Sequence, residues 1–464
     1  MANPFPAQIF REYDVRGDAE KHLSSDLFRA LGRAFATLIG PQTEGRATKV
    51  ALGRDCRLSS PRLHEALVDG LLAGGLDVVD VGIGPTPMLY FAVHHLKVDG
   101  GLMITGSHNP GGENGVKMLR RSGSIYGEEI QKLRGLIQAA GFSEGPRGKV
   151  ESRDVQSDYC DYMKANIHIA TKGIPFVVDA GNGSGGPLAL AAMKALGLSP
   201  VQLFCDMDGH FPNHHPDPTQ PENVAALIAK VKETNSRVGI AYDGDADRLG
   251  AVDADGTIIW GDKLLTLFAR DILKDKPGAA ILGEVKCSQT LYDDIAKHGG
   301  RPIIWKTGHS LIKAKMKEEH ALLAGEMSGH LFFADRYFGY DDAIYASLRL
   351  LEILSKTGKS IGELLSDLPK TFVTPEIRVD CPDAVKFDVV ADVRALFQQK
   401  LGKAKVIDID GARILFDHGW GLVRASNTQP ALVVRFEADT EARRDEYRAI
   451  VEGAIAEARK KHGA

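Results

Sequence analysis

One arrangement of apolar runs, polar loops and glycines occurs three times along this 464-residue chain, and it constrains the fold more than any single residue does. Residues 49–82, KVALGRDCRLSSPRLHEALVDGLLAGGLDVVDVG, read as strand, polar loop, helix, Gly-Gly and strand. Residues 175–204 read the same way, with Gly197 ending the helix, and residues 279–306 do so again, with Gly299-Gly300 in that place. Short apolar runs alternating with helices of about ten residues predict βαβ units and largely parallel sheets. Each unit leads to a further apolar strand that runs straight into a polar, glycine-containing loop. GGLMI enters TGSHNP (105–110), VGIAY enters DGDADR (243–248) and HALLA enters GEMSGH (325–330). Open α/β sheets carry their ligand-binding loops at the carboxyl ends of strands, so three similar domains would each offer one chemical loop. Beyond about Ser366 the pattern changes. Strand-like FVTPEIRVD, helical VKFDVVADVRALFQQKL, further strands and a last helix EARRDEYRAIVEGAIAEARKK predict a smaller α+β domain. The expected fold is α/β: three similar mixed α/β domains with parallel-rich sheets plus a smaller C-terminal α+β domain, around a central cleft. The expected boundaries are 1–151, 152–253, 254–367 and 368–464, and with no long linker the domains should touch.

Charge narrows the partners. Lys and Arg total 57 against 61 Asp and Glu, a net charge of −4, so no basic field exists to hold nucleic acid or an anionic membrane. A composition 44% hydrophobic and 25% charged is that of a globular protein, not of a disordered, collagenous or coiled-coil chain. Five cysteines, Cys56, Cys160, Cys205, Cys287 and Cys381, stand singly with no CxxC pair. That pattern argues against a disulfide framework or a thiolate zinc site and fits a reducing cytoplasm. The start, MANPFPAQIFREYDVRG, lacks a positive segment followed by an apolar one, and no apolar run approaches the ~18 residues of a membrane helix. A cytoplasmic, monomeric chain is expected.

Four loops hold the chemistry. In DGDADR the residues Asp243, Asp245 and Asp247 alternate, so an extended loop would aim three carboxylates at one point. Oxygen-only ligands select a hard cation, Mg²⁺ or Ca²⁺. The EF-hand reading fails, because its Gly and Glu positions hold Arg248 and Ala254; a solvated acidic turn is the plainer alternative. In TGSHNP, Ser107 is a turn serine, and the G-x-S-x-G elbow is absent. His108, its neighbour, would point its side chain away. Beside a cation site, Ser107 reads as a hydroxyl that carries phosphate. In GEMSGH, Glu326, Ser328 and His330 alternate and suit vicinal sugar hydroxyls, though the loop also reads as an ordinary strand-to-turn segment. RASNTQP (424–430) brings Arg424, Ser426, Asn427 and Thr428, a good phosphate cradle or simply a hairpin turn. Tyr13 and Arg16 in FREYDVRG, Lys117 in NGVK, Lys286 in EVKCS and His309 in TGHS are further cleft candidates, with Lys286 at the place Arg54 and Asn182 hold in the other repeats. His214-His215 reads as a loop.

With TGSHNP, DGDADR, GEMSGH and RASNTQP in this order, and FREYDVRG, VKCS and TGHS besides, the whole chain resembles the α-D-phosphohexomutase superfamily. It is most similar to the bacterial phosphomannomutase/phosphoglucomutase branch, since the glucosamine branch more often carries Gln where Met327 stands. The resemblance implies that Ser107 carries the phosphoryl group and that Asp243, Asp245 and Asp247 hold Mg²⁺ together with the phosphoserine. It implies that Glu326, Ser328 and His330 read the sugar and that Arg424, Ser426, Asn427 and Thr428 hold the phosphate not being transferred. Hexose 1-phosphate and 6-phosphate (mannose or glucose) would interconvert through a 1,6-bisphosphate that turns over in the cleft and also primes unphosphorylated enzyme. His309, His330, Lys117 and Arg16 are the candidates for moving the proton, Arg248 adds positive charge, and the last domain is expected to hinge. Phosphoglucosamine mutase, a metal-dependent phosphomonoesterase and a non-catalytic sugar-phosphate sensor are the alternatives.

Overall fold

The structure, a computed structural model, describes residues 5–40, 48–426 and 429–464. The first three domains repeat one strand order. In each, a buried central strand (Lys49–Arg54, Phe176–Asp179, Ala280–Glu284) pairs in parallel on one side with the strand after its helix (Asp77–Ile83, Val201–Leu203, Arg301–Trp305). On its other side it pairs in parallel with a third strand: Gly100–Ile104, Val238–Tyr242 or Leu323–Gly325. That third strand turns back antiparallel into a fourth: Glu113–Arg120, Leu249–Asp253 or Leu331–Phe333. The loops predicted to carry chemistry are the three hairpin connections between third and fourth strands. Registers such as Arg54 opposite Ile104 and Ile104 opposite Val116 bring the strand ends to one rim of the sheet.

Around this plan the first sheet gains Val15–Asp18, Val150–Ser152 and Gly123–Ser124, making seven strands. The second gains Ile258–Ile259, so it runs past residue 253 before the chain enters the helix Gly261–Asp275. The last domain is a six-stranded antiparallel sheet covered by the helices Lys386–Leu401 and Glu441–Lys461.

One apolar core passes through the first three domains without a break, from Ala51 and Phe91 through Tyr159, Val178 and Ile240 to Ile281 and Leu351. At its centre lies the helix Ala343–Thr357, buried from Ala343 to Ser355, which is why the sequence there is almost wholly apolar. The two charges within that buried stretch are paired, as buried charges must be. Arg349 donates to Asp335 at 2.9 Å and lies over the Phe333 ring, and Glu352 accepts from Arg336 at 2.6 Å. The last domain has its own core, including Val389, Phe397, Ile414 and Val451.

It meets the third domain through Val285, Trp420 and Leu422 and through two buried arginines. Arg413 donates from one nitrogen to the carbonyls of Val285 and Cys287, each at 2.7 Å, with its guanidinium 3.9 Å over the Trp420 ring. Arg435 donates to the carbonyl between them, Lys286 O, at 2.6 Å.

Candidate active site

Ser107 sits in a left-handed turn (φ 49°) at the end of the strand Gly100–Ile104. The turn is built on Arg57, a fully buried side chain from the loop after the central strand. Arg57 donates to four carbonyls of the serine loop: Ser107 at 2.7 Å, Asn109 at 2.6 Å, Pro110 at 2.6 Å and Glu113 at 2.8 Å. A Cβ at residue 106 would stand 2.4 Å from the same guanidinium, so only glycine fits there. Asp55 accepts from the Gly106 and Arg57 amides and completes the frame. In the first repeat Arg57, not Arg54, therefore does the work in this loop; Arg54 turns to its neighbour Asp55 O.

The aspartate loop lies directly against this turn. Ser107 Oγ donates to Asp243 Oδ2 at 2.8 Å, and a Cβ on Gly244 would stand 2.3 Å from Ser107 O. The loop is a tight turn with Ala246 left-handed (φ 55°), not the extended segment that alternation suggests. Asp243, Asp245 and Asp247 still converge, because the turn wraps them around one point, each wholly buried and with ligand atoms within 4.8 Å of one another. Lys117, on the strand Glu113–Arg120, bridges Asp245 Oδ2 and Asp247 Oδ2, and Thr86 also donates to Asp245 Oδ2. Asp243 Oδ1 accepts the amides of Asp247 and Arg248. Asp245 Oδ1 and Asp247 Oδ1 are left bare. Two unpartnered buried carboxylate oxygens beside a serine hydroxyl fit a hard cation.

Burial, together with Asp247 and Asp245, holds the Asp243 carboxyl well above its ordinary range. Burial would raise Asp245 as well, but Lys117 outweighs it and holds Asp245 ionised; the same pair holds the Lys117 ammonium charged against its desolvation. Arg16 donates to Asp14 at 2.6 Å and to Asn109 Oδ1 at 2.8 Å, so it belongs to the serine loop. His108 does not point away: its Nδ1 lies 3.2 Å from Ser107 Oγ, because the left-handed turn swings both side chains to one side. Burial, Arg248 and Arg16 hold its imidazole well below the usual range.

Arg248 leads from the aspartates to the third loop. Its Nε donates to His330 Nε2 at 3.0 Å, and the two residues form a β-bridge. GEMSGH is a strand end running into a turn. Glu326 accepts the Gly308 amide at 2.7 Å, His330 stacks on His309 at 5.6 Å, and Ser328 is half-buried in the turn. Burial and Lys313 hold His309 well below the usual imidazole range. Tyr13 packs edge-on against His309 and donates to Thr307 O at 3.0 Å, joining the first domain to the third.

Lys286 and Arg424 stand farther along the same rim. Lys286 pairs with Glu376 at 3.1 Å, and Arg424 with Asp410 at 2.9 Å, whose carboxylate also takes the Thr307 amide. Burial opposes the Lys286 charge, and Glu376 and Glu284 sustain it. Ser426 accepts the Gln429 amide, and the buried Lys386 donates to Ser426 O at 2.6 Å. Asn427 and Thr428 lie outside the described residues. His214 faces Asp179 at 3.1 Å.

Sequence reasoning passed over Arg57, Thr86 and Asp341. Thr86 lies in a GPTP turn, Arg57 three residues past the strand end, and Asp341 beside a second aspartate that reads as a helix cap.

Four family profiles match the chain in series. They are described as phosphoglucomutase/phosphomannomutase alpha/beta/alpha domain I over residues 7–144, domain II over 157–256 and domain III over 260–372, with the C-terminal domain over 376–454. A phosphomannomutase/phosphoglucomutase of Pseudomonas aeruginosa PAO1 is 47% identical over 95% of this chain and 94% of its own length. A phosphoglucomutase of Neisseria meningitidis serogroup A is 44% identical over 97% and 98%. The crystal structure of a phosphoglucomutase/phosphomannomutase family protein from Burkholderia thailandensis superposes with a TM-score of 0.91 at 44% identity, covering 98% of both chains.

Proposed function

The chain belongs to the phosphoglucomutase/phosphomannomutase family, and from that premise we propose which of its residues carry each part of the reaction. It is a phosphohexomutase, an isomerase that interconverts hexose 1-phosphate and hexose 6-phosphate; mannose and glucose are the sugars its relatives' names give. The observation that carries the residue assignment is the hydrogen bond from Ser107 to Asp243, in a turn fixed on four carbonyls beside bare carboxylate oxygens.

Ser107 is the phosphoryl carrier. In the first half-reaction the Ser107 Oγ–P bond breaks and Oγ takes up a proton, as a bond forms to the free hydroxyl of the sugar phosphate, whose proton passes to a base. The product is the 1,6-bisphosphate and free serine. After the bisphosphate turns over, Ser107 Oγ takes back the other phosphoryl group and loses its own proton, while the sugar oxygen left behind is protonated by the conjugate acid of the base. His108, 3.2 Å from Oγ and held unprotonated by burial and neighbouring cations, accepts the Ser107 proton; His309 serves the sugar hydroxyl. Lys117, Arg16 and Arg248 stay charged and act electrostatically. Asp243, Asp245, Asp247 and the phosphate on Ser107 would hold Mg²⁺, which when bound neutralises charge on the transferring group.

Glu326, Ser328 and His330 face the sugar hydroxyls, with Tyr13 and Lys286 beside them. Arg424, Ser426, Asn427 and Thr428 hold the phosphate that is not reacting, and the last domain hinges as the bisphosphate turns. Added hexose 1,6-bisphosphate activates by priming Ser107. Five unpaired cysteines and no described helix long and apolar enough to cross a membrane support a cytoplasmic location.

Phosphorus NMR of the protein with Mg²⁺, mannose 1-phosphate and a trace of hexose 1,6-bisphosphate tests the reading. A growing 6-phosphate resonance is expected, and its loss in Ser107→Ala. Release of inorganic phosphate would favour a phosphomonoesterase, and turnover of glucosamine phosphates alone would favour the glucosamine mutase.

A further inference from the structure

Asp341 closes the loop between the strand Leu331–Phe333 and the central helix, and it has no exposed surface. Its neighbour Asp342 caps that helix, but Asp341 points the other way, into the site. Oδ1 accepts from Lys313 Nζ at 2.9 Å, while Oδ2, a buried oxygen with no hydrogen-bond partner among the described residues, lies 3.1 Å from His330 Nδ1, equally without one, and 3.7 Å from His309 Nδ1; Asp247 Oδ1 is farther from His330 Nδ1, at 3.7 Å. One carboxylate thus faces three cleft side chains from two segments, the helix His309–Glu319 and the GEMSGH loop.

The far side of the His330 ring decides what this contact means. Nε2 is 3.0 Å from Arg248 Nε, and a guanidinium nitrogen can only donate. Nε2 must therefore be bare, which leaves the ring proton on Nδ1, the nitrogen that faces Asp341. Turning the ring over would set carbon atoms against both partners. A cation shared by Asp247, His330 and Asp341, whose ligand atoms also cluster within 4.8 Å, would require the opposite tautomer and would set an Nε2–H against the Arg248 N–H.

We propose that Asp341 is a positioning residue that locks His330 in the Nδ1–H tautomer, so that Nε2 holds Arg248 in place beside the aspartate loop. Asp341 touches neither the serine nor the sugar in this scheme. Its effect passes through His330 to the Arg248 guanidinium, and the inference rests on the phosphohexomutase reading of the site.

The consequence of Asp341→Asn follows from donor counting. Lys313 still needs an acceptor, so the amide oxygen turns to Nζ and the amide NH₂ meets His330 Nδ1. Nδ1 must then accept, the proton moves to Nε2, and two donors face each other across the His330–Arg248 contact.

The test uses the full chain labelled with ¹⁵N-histidine, with the His330 signals assigned by their loss in His330→Gln. In the unaltered protein, Nδ1 should show the protonated shift and Nε2 the unprotonated one. In Asp341→Asn the pattern should exchange, with kcat lower by about 10- to 100-fold and KM moving far less. Asp341→Glu, which keeps an acceptor, should restore the original tautomer and much of kcat. A proton on Nε2 in the unaltered protein would overturn the proposal without any variant. So would an Asp341→Asn protein that keeps the original tautomer, whether active or not. The NMR result does not depend on turnover, so failure of the mutase assay would count against the functional reading alone.

Discussion

At the scale of single residues, the geometry is set by buried side chains bonded to main-chain carbonyls. Arg57 supplies four hydrogen bonds to the loop that presents Ser107, so the left-handed conformation of that serine is imposed from behind. Lysine at this position keeps the charge and loses the planar fork. Arg57→Lys should lower kcat about 10- to 100-fold and cost about 2–4 kcal/mol of stability, since buried carbonyls are left without donors. Steady-state kinetics and thermal unfolding measure the two effects, and a fully active Arg57→Lys protein would show that the turn holds itself. Ser107 and the three aspartates stood out in the sequence because their types and spacing suggest their chemistry, whereas Lys117 was only a lone cleft candidate. Arg57 did not stand out, because its partners lie about fifty residues away and are main-chain oxygens. Asp341 was hidden by its twin, since an Asp pair before an apolar helix reads as a cap.

At the scale of elements, the cap itself is the point of tension. Asp342 accepts the Tyr345 amide at the start of the central helix and the hydroxyls of Tyr159 and Tyr337, yet it lies in the shared core. Burial raises its carboxyl to about 6, from an unfolded value near 4. A carboxyl raised on folding binds its proton more tightly in the native state. Its contribution to stability therefore falls as pH rises from about 4 to about 6, and above that the full penalty, on the order of 3 kcal/mol, is present. Asparagine caps as well and carries no charge. The melting temperature of Asp342→Asn, relative to the unaltered protein, should be higher at pH 7.5 than at pH 5, and a difference flat with pH would remove the argument. Strands and helices were readable because burial writes its period into the sequence. The aspartate loop was misread as extended, because alternating Asp looks the same whether the backbone runs straight or turns.

At the scale of the molecule, three domains share one core and the fourth is attached at a joint. The attachment is made by Arg413 and Arg435, which take the three successive carbonyls of residues 285–287, the loop that carries Lys286. Arg413→Gln should loosen docking by about 2–4 kcal/mol. The first phosphoryl transfer should survive, while hexose 1,6-bisphosphate escapes before it has turned over. Phosphorus NMR should then show free bisphosphate accumulating, and turnover should come to depend on added bisphosphate. Unchanged retention of the intermediate would place the control of reorientation elsewhere. The three-plus-one plan was visible in the repeat, but this joint was not, since a carbonyl has no letter in the sequence. That invisibility has a counterpart in descent. A grip on side chains, such as the Lys286–Glu376 pair, would oblige both partners to change together, whereas the grip of Arg413 and Arg435 on the main chain is indifferent to what residues 286 and 287 become. Lineages could therefore exchange the side chains at 286 and 287, one at a time, without ever letting go of the last domain.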